Sequence, residues 1–317
     1  MSGKDILFYT ASRGHHRDIG GLGGISGNPN ATSLEQEGAL FKSFLLASGG
    51  HFDEEGVYDY LFIKVHMAYH HVCTGITKLL VQDPAQYPGC VGSNSIRDNL
   101  SDLKAQIAAN QRGTLLIQEL FTIYTAPVVQ KYMGAIQQTA EIAVRNYLKR
   151  MVADAIAAGR HTAGYPLVLE AEDYLDDGTE IHLRVSIDGE TGSALFDFTG
   201  TGPEAYGNRN APTSLVFSAI IYALRAMINE DIPLNEGCLA PVEIIIPKNS
   251  LLSPSSGAAV YTGNTLTSQR ITDVVFKAFG TCAASQGDMN SVQMYGGEKK
   301  RGPGQAFAGY SFMYGYV

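Results

Sequence analysis

The strongest constraint on the fold is a helical pattern that runs, with one interruption, from Asp98 to Leu148. Apolar residues recur at intervals of three and four on one side of each half, whereas charged residues such as Asp102 and Lys104 lie on the other side. Pro127 lies where a second helix would begin, since the first helical turn tolerates proline. The pattern predicts a helical hairpin, with a break or kink at Gly113, whose two apolar stripes are buried in a core. The stripes contain Leu100, Leu103, Ile107, Leu116 and Leu120, then Val129, Tyr132, Met133, Ile136, Ala140, Ala143, Val144, Tyr147 and Leu148.

A second pattern predicts β-structure later in the chain. Apolar and polar residues alternate from Ile181 to Ile187, a turn follows at Gly189–Gly192, and Ser193–Phe198 returns, which is typical of a β-hairpin. Strands and helices alternate around it without a repeat, which predicts a mixed α/β (α+β) fold: a helical hairpin plus a mixed sheet with flanking helices. The other predicted elements are strands at Asp5–Ala11, Gly38–Phe41, Val242–Pro247 and Ala258–Tyr261, and helices at Thr213–Ile228 and Ser268–Phe279.

Composition excludes several classes of function. The net charge is -8 and no basic run exceeds Lys299–Arg301, so a nucleic-acid partner is not expected. The most apolar run, Leu215–Ile228, is too short to cross a bilayer and contains Arg225, so no membrane association is expected. The four cysteines form no Cys-x-x-Cys pair, which favours a reduced, cytoplasmic compartment with cysteines as small buried apolar residues.

One short motif has the residue types of a metal site. In Ser12–Gly27, His15, His16 and Asp18 precede a glycine-rich loop. Neutral imidazole and carboxylate together suit manganese, zinc or iron better than calcium. The residues alone favour a polar turn that carries solvated histidines, with part of a divalent metal site as the alternative.

Two other groups of residues have the chemistry of a site. His66, His70, His71 and Cys73 have ligand-like spacing, but no second pair completes a four-ligand set, which favours an ordinary aromatic-rich segment. Polar residues in loops and at helix starts are candidates for substrate binding, because ligands of open α/β folds often bind beyond the ends of strands. These candidates are Asn210, Asn235, Asn264, Gln269 and Arg270.

Five long segments, in order and over nearly the whole chain, resemble the hydantoinase B/oxoprolinase family, most closely the C-terminal part of eukaryotic 5-oxoprolinases. They are SRGHHRDIGG (Ser12–Gly21), DNLSDLKAQIAANQRG (Asp98–Gly113), FDFTGTGPEAYGNRNAP (Phe196–Pro212), IPLNEGCLAPVEIIIP (Ile232–Pro247) and GNTLTSQRITDVVFKAFGTCAASQGDMN (Gly263–Asn290).

The resemblance implies ATP-dependent opening of the lactam ring of 5-oxo-L-proline to give L-glutamate in the γ-glutamyl (glutathione) cycle. It implies that ATP is used by a separate hydantoinase A-like half, that the B half hosts hydrolysis, and that the parent protein is a homo-oligomer. Related acetone carboxylases carry a metal held by paired His/Asp elements, and His15, His16 and Asp18 match one such element. A divalent manganese, zinc or iron ion is therefore the expected cofactor.

Three departures from the family pattern predict that residues 1–317 form a partial family domain. The second His/Asp element would lie before Met1, residues 57–75 have no counterpart in the family, and the family's glycine-rich continuation is replaced by Phe312–Val317. The isolated chain is expected to be inactive. A non-catalytic assembly module of an oxoprolinase-like complex, or a hydantoinase or acetone carboxylase relative with another substrate, are the alternatives.

Overall fold

The computed structural model describes residues 6–24, 27–52, 75–282, 285, 287, 291–294 and 310–313. The predicted insertion at 57–75 (apart from Gly75) and the cluster at His66, His70, His71 and Cys73 lie outside the described residues.

The helical hairpin is confirmed. Helix α1 spans Ile96–Tyr124 and helix α2 spans Ala126–Ala157. A single residue, Thr125, reverses the chain between them with φ of 68°, and a proline in the first turn of α2 starts the second helix as predicted. Of the break or kink predicted at Gly113, the break is wrong, because α1 continues through it. One glycine costs a helix only about 1 kcal/mol, which the remaining helical hydrogen bonds offset.

A four-stranded mixed sheet forms the centre of the fold. Strands β6 (Glu180–Asp188) and β7 (Ser193–Asp197) form the predicted hairpin, and β8 (Val242–Ile245) pairs with β7 in parallel. The sequence did not predict β5 (Leu167–Tyr174), which pairs antiparallel with β6, because its three carboxylates are uncommon in strands. Strand β8 is half-buried and ends at Ile245, not buried to Pro247 as predicted, since it lies at the edge of the sheet.

Two further helices flank this sheet, α3 (Thr213–Ile228) and α4 (Leu266–Phe279), both as predicted apart from two residues at the start of α4. Short antiparallel pairs complete the described strands: β1 (Gly21–Leu22) with β4 (Cys90–Val91), β2 (Ala47–Ser48) with β3 (His51–Phe52), and β9 (Ser291–Met294) with β10 (Tyr310–Met313).

Three predicted strands are wrong in the described part of the chain. Residues 6–11 and 38–41 form no ladder with another strand there. In the third, Ala258 makes only an isolated bridge to Ser33, and Tyr261 begins a 3-10 helix, Tyr261–Asn264. Short apolar runs do not reveal whether a neighbouring strand exists to accept their hydrogen bonds.

The main core lies between the sheet and the helices. The ring of Phe279 on α4 is stacked between Tyr147 of α2, at 6.4 Å, and Phe196 of β7, at 6.1 Å. A smaller cluster of Ile76, Leu80 and Leu103 packs beneath the start of α1. Buried apolar area of this extent supplies most of the stabilising free energy of such a domain.

The prediction that both stripes of the hairpin are buried is half wrong. The C-terminal half of α2 is in the core through Ala140, Val144, Tyr147 and Leu148. From 104 to 139, however, no residue is buried. The stripe residues exposed there are Leu116, Leu120, Tyr132, Met133 and Ile136.

Three of the four cysteines lie in the described ranges. Cys90 and Cys238 are buried, as predicted, whereas Cys282 is exposed. In the same ranges no helix combines the length and the apolar character that crossing a bilayer requires.

Candidate functional site

The His/Asp motif lies against the first turns of α1. The Nδ1 atom of His16 is 3.2 Å from Oδ2 of Asp102, and the His16 side chain is only 16% exposed. His15 is exposed to solvent. The sequence placed Asp102 on the solvent face of the helix, whereas the structure shows it as the partner of His16.

Asp18 holds the motif in place through its carboxylate and its main chain. Its Oδ1 accepts the backbone N–H of Gly20 at 2.8 Å, and its Oδ2 accepts that of Asn94 at 2.8 Å. Its carbonyl oxygen accepts the Nδ2 of Asn99 at 2.8 Å, and Asn99 also accepts the hydroxyl of Ser93 at 2.6 Å. Asn99 and Ser93 are both buried, so this polar network is shielded from water and fixes the motif on α1.

The glycine-rich loop lies so close to neighbouring parts of the chain that a side chain at Gly20 or Gly27 would not fit. Gly20 has φ of 81°, and a Cβ atom there would lie 2.4 Å from the carbonyl oxygen of Val91. Gly27, with φ of 75°, lies directly against the ring of Tyr261. The glycine-rich loop therefore meets the 3-10 helix that carries the candidate residue Asn264.

A buried carboxylate joins the 3-10 helix Leu34–Glu37, which follows the glycine-rich loop, to the segment that contains Tyr261. Glu37 is 7% exposed, and its carboxylate accepts the backbone N–H groups of Val260, at 2.9 Å, and Tyr261, at 2.7 Å. Nearby, Asn208 donates to the carbonyl oxygen of Asn28 at 3.0 Å. Burial raises the pKa of Glu37 above its ordinary value, while the two backbone hydrogen bonds oppose that rise.

We expect the stability of the chain to depend on the protonation of Glu37. Because its folded-state pKa is raised, the protonated form favours folding, and that contribution is lost as the pH rises through the folded-state pKa. Glu37→Gln mimics the protonated form. The free energy of unfolding of the wild type, relative to this variant, should therefore increase as the pH falls from neutral through the raised pKa to the ordinary, unfolded-state pKa of a glutamate. Urea unfolding of both proteins across this range measures the difference, and a difference that does not change with pH would contradict the assignment.

Asn210 is the most buried of the predicted substrate-binding residues. Its side chain is 0% exposed. Its Oδ1 accepts the backbone N–H of Ala205 at 2.8 Å, and its Nδ2 donates to the carbonyl oxygens of Ala205, Gly207 and Ala259, each at 3.0 Å. In this conformation the amide supports the loop before α3, and its role in substrate binding stays a prediction.

Asn235 and Asn264 lie in different surroundings. Asn235 caps the 3-10 helix Glu236–Cys238 by accepting the N–H of Gly237 at 2.8 Å, and it donates to the carbonyl oxygen of Ile136 on α2 at 3.3 Å. Asn264 is exposed at the end of the 3-10 helix next to the glycine-rich loop. Of the predicted polar residues, Asn264 is thus the one that presents its side chain to solvent beside the motif.

Gln269 and Arg270 lie on α4 and contact acidic residues. Arg270 pairs with Asp173 of β5 at 3.2 Å and with Asp273 of its own helix at 3.6 Å. Gln269 donates to Asp273 at 3.4 Å. Asp273 is 4% exposed and also accepts the hydroxyl of Ser285 at 2.8 Å. These contacts neutralise a buried carboxylate, which is the usual requirement for burying a charge.

The structure brings some of the predicted residues together and leaves others apart. The motif, Glu37 and the 3-10 helix with Asn264 form one junction, whereas Asn235 contacts α2. Within the described ranges no three His, Cys, Asp or Glu side chains are grouped closely enough to hold a metal ion. Metal binding by His15, His16 and Asp18 therefore stays a prediction.

A sizeable cleft lies away from this junction. It has a volume of about 780 Å³ and lies between α2, the 3-10 helix Glu236–Cys238 and the edge strand β8. Its lining includes Gln137, Glu141 and Phe217. None of the predicted metal ligands contributes to the lining of this cleft.

Comparison with known proteins matches the chain to one protein family over nearly its whole length. The family model described as "Hydantoinase B/oxoprolinase" matches residues 1–316. The chain is 48% identical over 296 residues to "5-oxoprolinase 1" of Arabidopsis thaliana, covering 90% of this chain and 21% of that protein. It is 46% identical over 287 residues to "5-oxoprolinase" of Saccharomyces cerevisiae, covering 90% of this chain and 20% of that protein. The chain thus spans about a fifth of the length of these relatives.

A solved structure shares the fold. The ATP-dependent caprolactamase from Pseudomonas jessenii superposes with a TM-score of 0.61 at 19% identity, over 84% of this chain and 40% of the caprolactamase chain. The mixed α/β architecture is therefore a known one.

Proposed function

Because the chain belongs to the hydantoinase B/oxoprolinase family, we propose that it forms part of an ATP-dependent 5-oxoprolinase. The proposed reaction opens the lactam ring of 5-oxo-L-proline and gives L-glutamate, in the glutathione (γ-glutamyl) cycle. The observation that carries the proposal is the identity of 46% to 48% with named 5-oxoprolinases, spread over 90% of this chain.

The proposal divides the work between two halves. A hydantoinase A-like half, which also binds ATP, would activate the lactam, and the segment described here would belong to the half in which hydrolysis takes place. Because the chain spans about a fifth of its relatives, the partner half, the homo-oligomeric state and the cytoplasmic location are parts of the same proposal.

The donor chemistry of the motif fits a divalent ion in part. If Nδ1 of His16 donates to Asp102, the opposite nitrogen Nε2 carries the lone pair, as is common for a metal-binding histidine oriented by a carboxylate. Asp18 retains lone pairs beyond the two that accept Gly20 and Asn94. A bound manganese, zinc or iron ion would supply Lewis acidity or a bound water of lowered pKa. Ligands outside this chain would have to complete the site.

The test uses a chimera in which this chain replaces the matching region of the S. cerevisiae 5-oxoprolinase. We expect the chimera to release L-glutamate and ADP from 5-oxo-L-proline and ATP, whereas this chain alone releases neither. His16→Ala should lower both activity and bound metal by roughly ten- to a hundredfold. His161→Ala serves as the matched control, because the ring of this partly buried histidine lies 2.9 Å from the carbonyl oxygen of Tyr165 and is not part of the motif.

Two results would overturn the proposal. A folded chimera that hydrolyses ATP but leaves 5-oxo-L-proline intact would show that the substrate is wrong, and turnover of a hydantoin in its place would favour the related activity. Equal loss of metal in both histidine variants would show that His16 is not a ligand of the metal.

A non-catalytic assembly module is the second candidate, and the exposed stripe of the hairpin favours it. Metal content separates the two functions. A chimera that assembles normally, yet contains no stoichiometric manganese, zinc or iron, would support the assembly module.

A further inference from the structure

The exposed half of the helical hairpin continues a stripe that is core elsewhere. On α2, Ala140, Val144 and Leu148 are fully buried, whereas Ile136 and Met133, one and two turns earlier on the same side, are 46% and 43% exposed. The opposing helix α1 repeats this, since Leu103 is buried but Leu116 and Leu120 are 44% and 42% exposed. We call residues 112–139 the distal hairpin.

The distal hairpin has few charged side chains, which usually cover the solvent-exposed face of a helix. Only Arg112, Glu119 and Lys131 are charged in it. Helices that lie on a membrane surface carry many lysines and arginines on their polar face, which this segment does not. An apolar stripe with so little charge is typical of a protein interface. Its exposed large apolar residues are Leu115, Leu116, Leu120, Ile123, Tyr124, Val128, Tyr132, Met133 and Ile136.

Residues 7–10 lie beside α1 and extend this surface. Phe8 packs edge-to-face on Phe121 of α1 with ring centroids 5.6 Å apart, and Thr10 donates to the carbonyl oxygen of Asn110 at 3.2 Å. Alternate residues of this segment thus contact α1, while Leu7 and Tyr9 face away and are 50% and 83% exposed. Residues 7–10 therefore add apolar surface beside α1 and do not cover the exposed residues of the distal hairpin.

We infer that the distal hairpin is a protein interface. Its partner is the polypeptide that the longer relatives carry outside the matched region, which packs on the hairpin through an apolar face. The matched region is 21% and 20% of the two 5-oxoprolinases and 40% of the caprolactamase. In all three, more polypeptide lies outside the matched region than inside it, and the stripe is continuous with the core of this chain. The inference goes beyond the proposed reaction, since it concerns binding and needs neither substrate nor ATP.

The experiment mixes this full chain with the remainder of the S. cerevisiae 5-oxoprolinase, produced as a separate polypeptide without its matching region. We expect a complex in sedimentation velocity and a measurable Kd by calorimetry. The double variant Met133→Glu with Ile136→Glu should weaken binding roughly a hundredfold, because both changes place charges in the centre of an apolar interface. The control, Tyr165→Glu with Tyr206→Glu, changes two side chains that are 70% and 86% exposed outside the hairpin and should bind as the wild type does.

Several outcomes would overturn the inference. These are no binding between the two folded polypeptides, equal weakening by both double variants, or self-association of this chain that the hairpin variant alone abolishes. Circular dichroism and thermal unfolding of each variant show whether it is folded, and Leu116→Glu with Leu120→Glu on the opposing helix gives a second, independent pair. A folded chimera that leaves 5-oxo-L-proline intact, together with a complex between the two separate polypeptides, would refute the proposed reaction and leave the interface standing.

Discussion

Replacing Asn210 with alanine is expected to destabilise the chain by about 3 to 5 kcal/mol. The variant removes four hydrogen bonds that the buried amide makes to Ala205, Gly207 and Ala259. Ala259 is fully buried, so its carbonyl oxygen loses a partner without gaining a water molecule, and the part-buried groups of Ala205 and Gly207 lose theirs with limited access to water. The same change opens a cavity where the loop before α3 meets the segment that contains Ala259.

Urea unfolding measures this loss, with Asn264→Ala as the matched control. Asn264 is exposed on the neighbouring 3-10 helix, so its truncation should change the free energy of unfolding by about 0.5 kcal/mol or less. If Asn210→Ala were as stable as the wild type while a chimera carrying it lost affinity for 5-oxo-L-proline, Asn210 would be a substrate ligand and not a support of the loop.

Helices were predicted from sequence better than strands because their signal is local. The apolar period of Thr213–Ile228 gives α3 with the correct ends, and Pro127 marks the start of α2. The sequence does not predict strand β5, and it predicts a strand at residues 38–41 that does not form, because a strand depends on a partner elsewhere in the chain. The β6–β7 hairpin is the exception, since its partner follows after a short turn.

The candidate site was predictable in its residue types but not in its contacts. His16 and Asp18 are close in sequence, so their chemistry can be recognised together. Asp102 is 86 residues from His16 and has the spacing of an ordinary solvent-exposed helix residue, which concealed its role. The exposed stripe follows the same logic, because periodicity shows that a helix has an apolar side but not what covers it.

Replacing Gly237 with alanine is expected to cost about 2 to 4 kcal/mol, because its Cβ atom would overlap the backbone of α2. A Cβ atom there would lie 2.0 Å from the carbonyl oxygen of Gln137 and 2.8 Å from Oδ1 of Asn235. The Gln137 oxygen belongs to the backbone of α2 and cannot swing away, and the Asn235 oxygen could move only by giving up the backbone N–H of Gly237 that it accepts. The 3-10 helix Glu236–Cys238 would have to move off α2 and lose the cap that Asn235 provides.

Gly134→Ala, on α2 itself, should have the opposite effect. A Cβ atom at Gly134 meets nothing within 4 Å, and alanine in a helix interior is favoured over glycine by about 0.5 to 1 kcal/mol. Thermal and urea unfolding of the two variants should therefore shift in opposite directions from the wild type. Destabilisation by both would mean that α2 itself does not tolerate alanine there, whereas a neutral Gly237→Ala would mean that α2 and the 3-10 helix are not in contact in solution. Opposite signs would place the tight contact at Gly237, where the buried half of α2 begins and its exposed half ends.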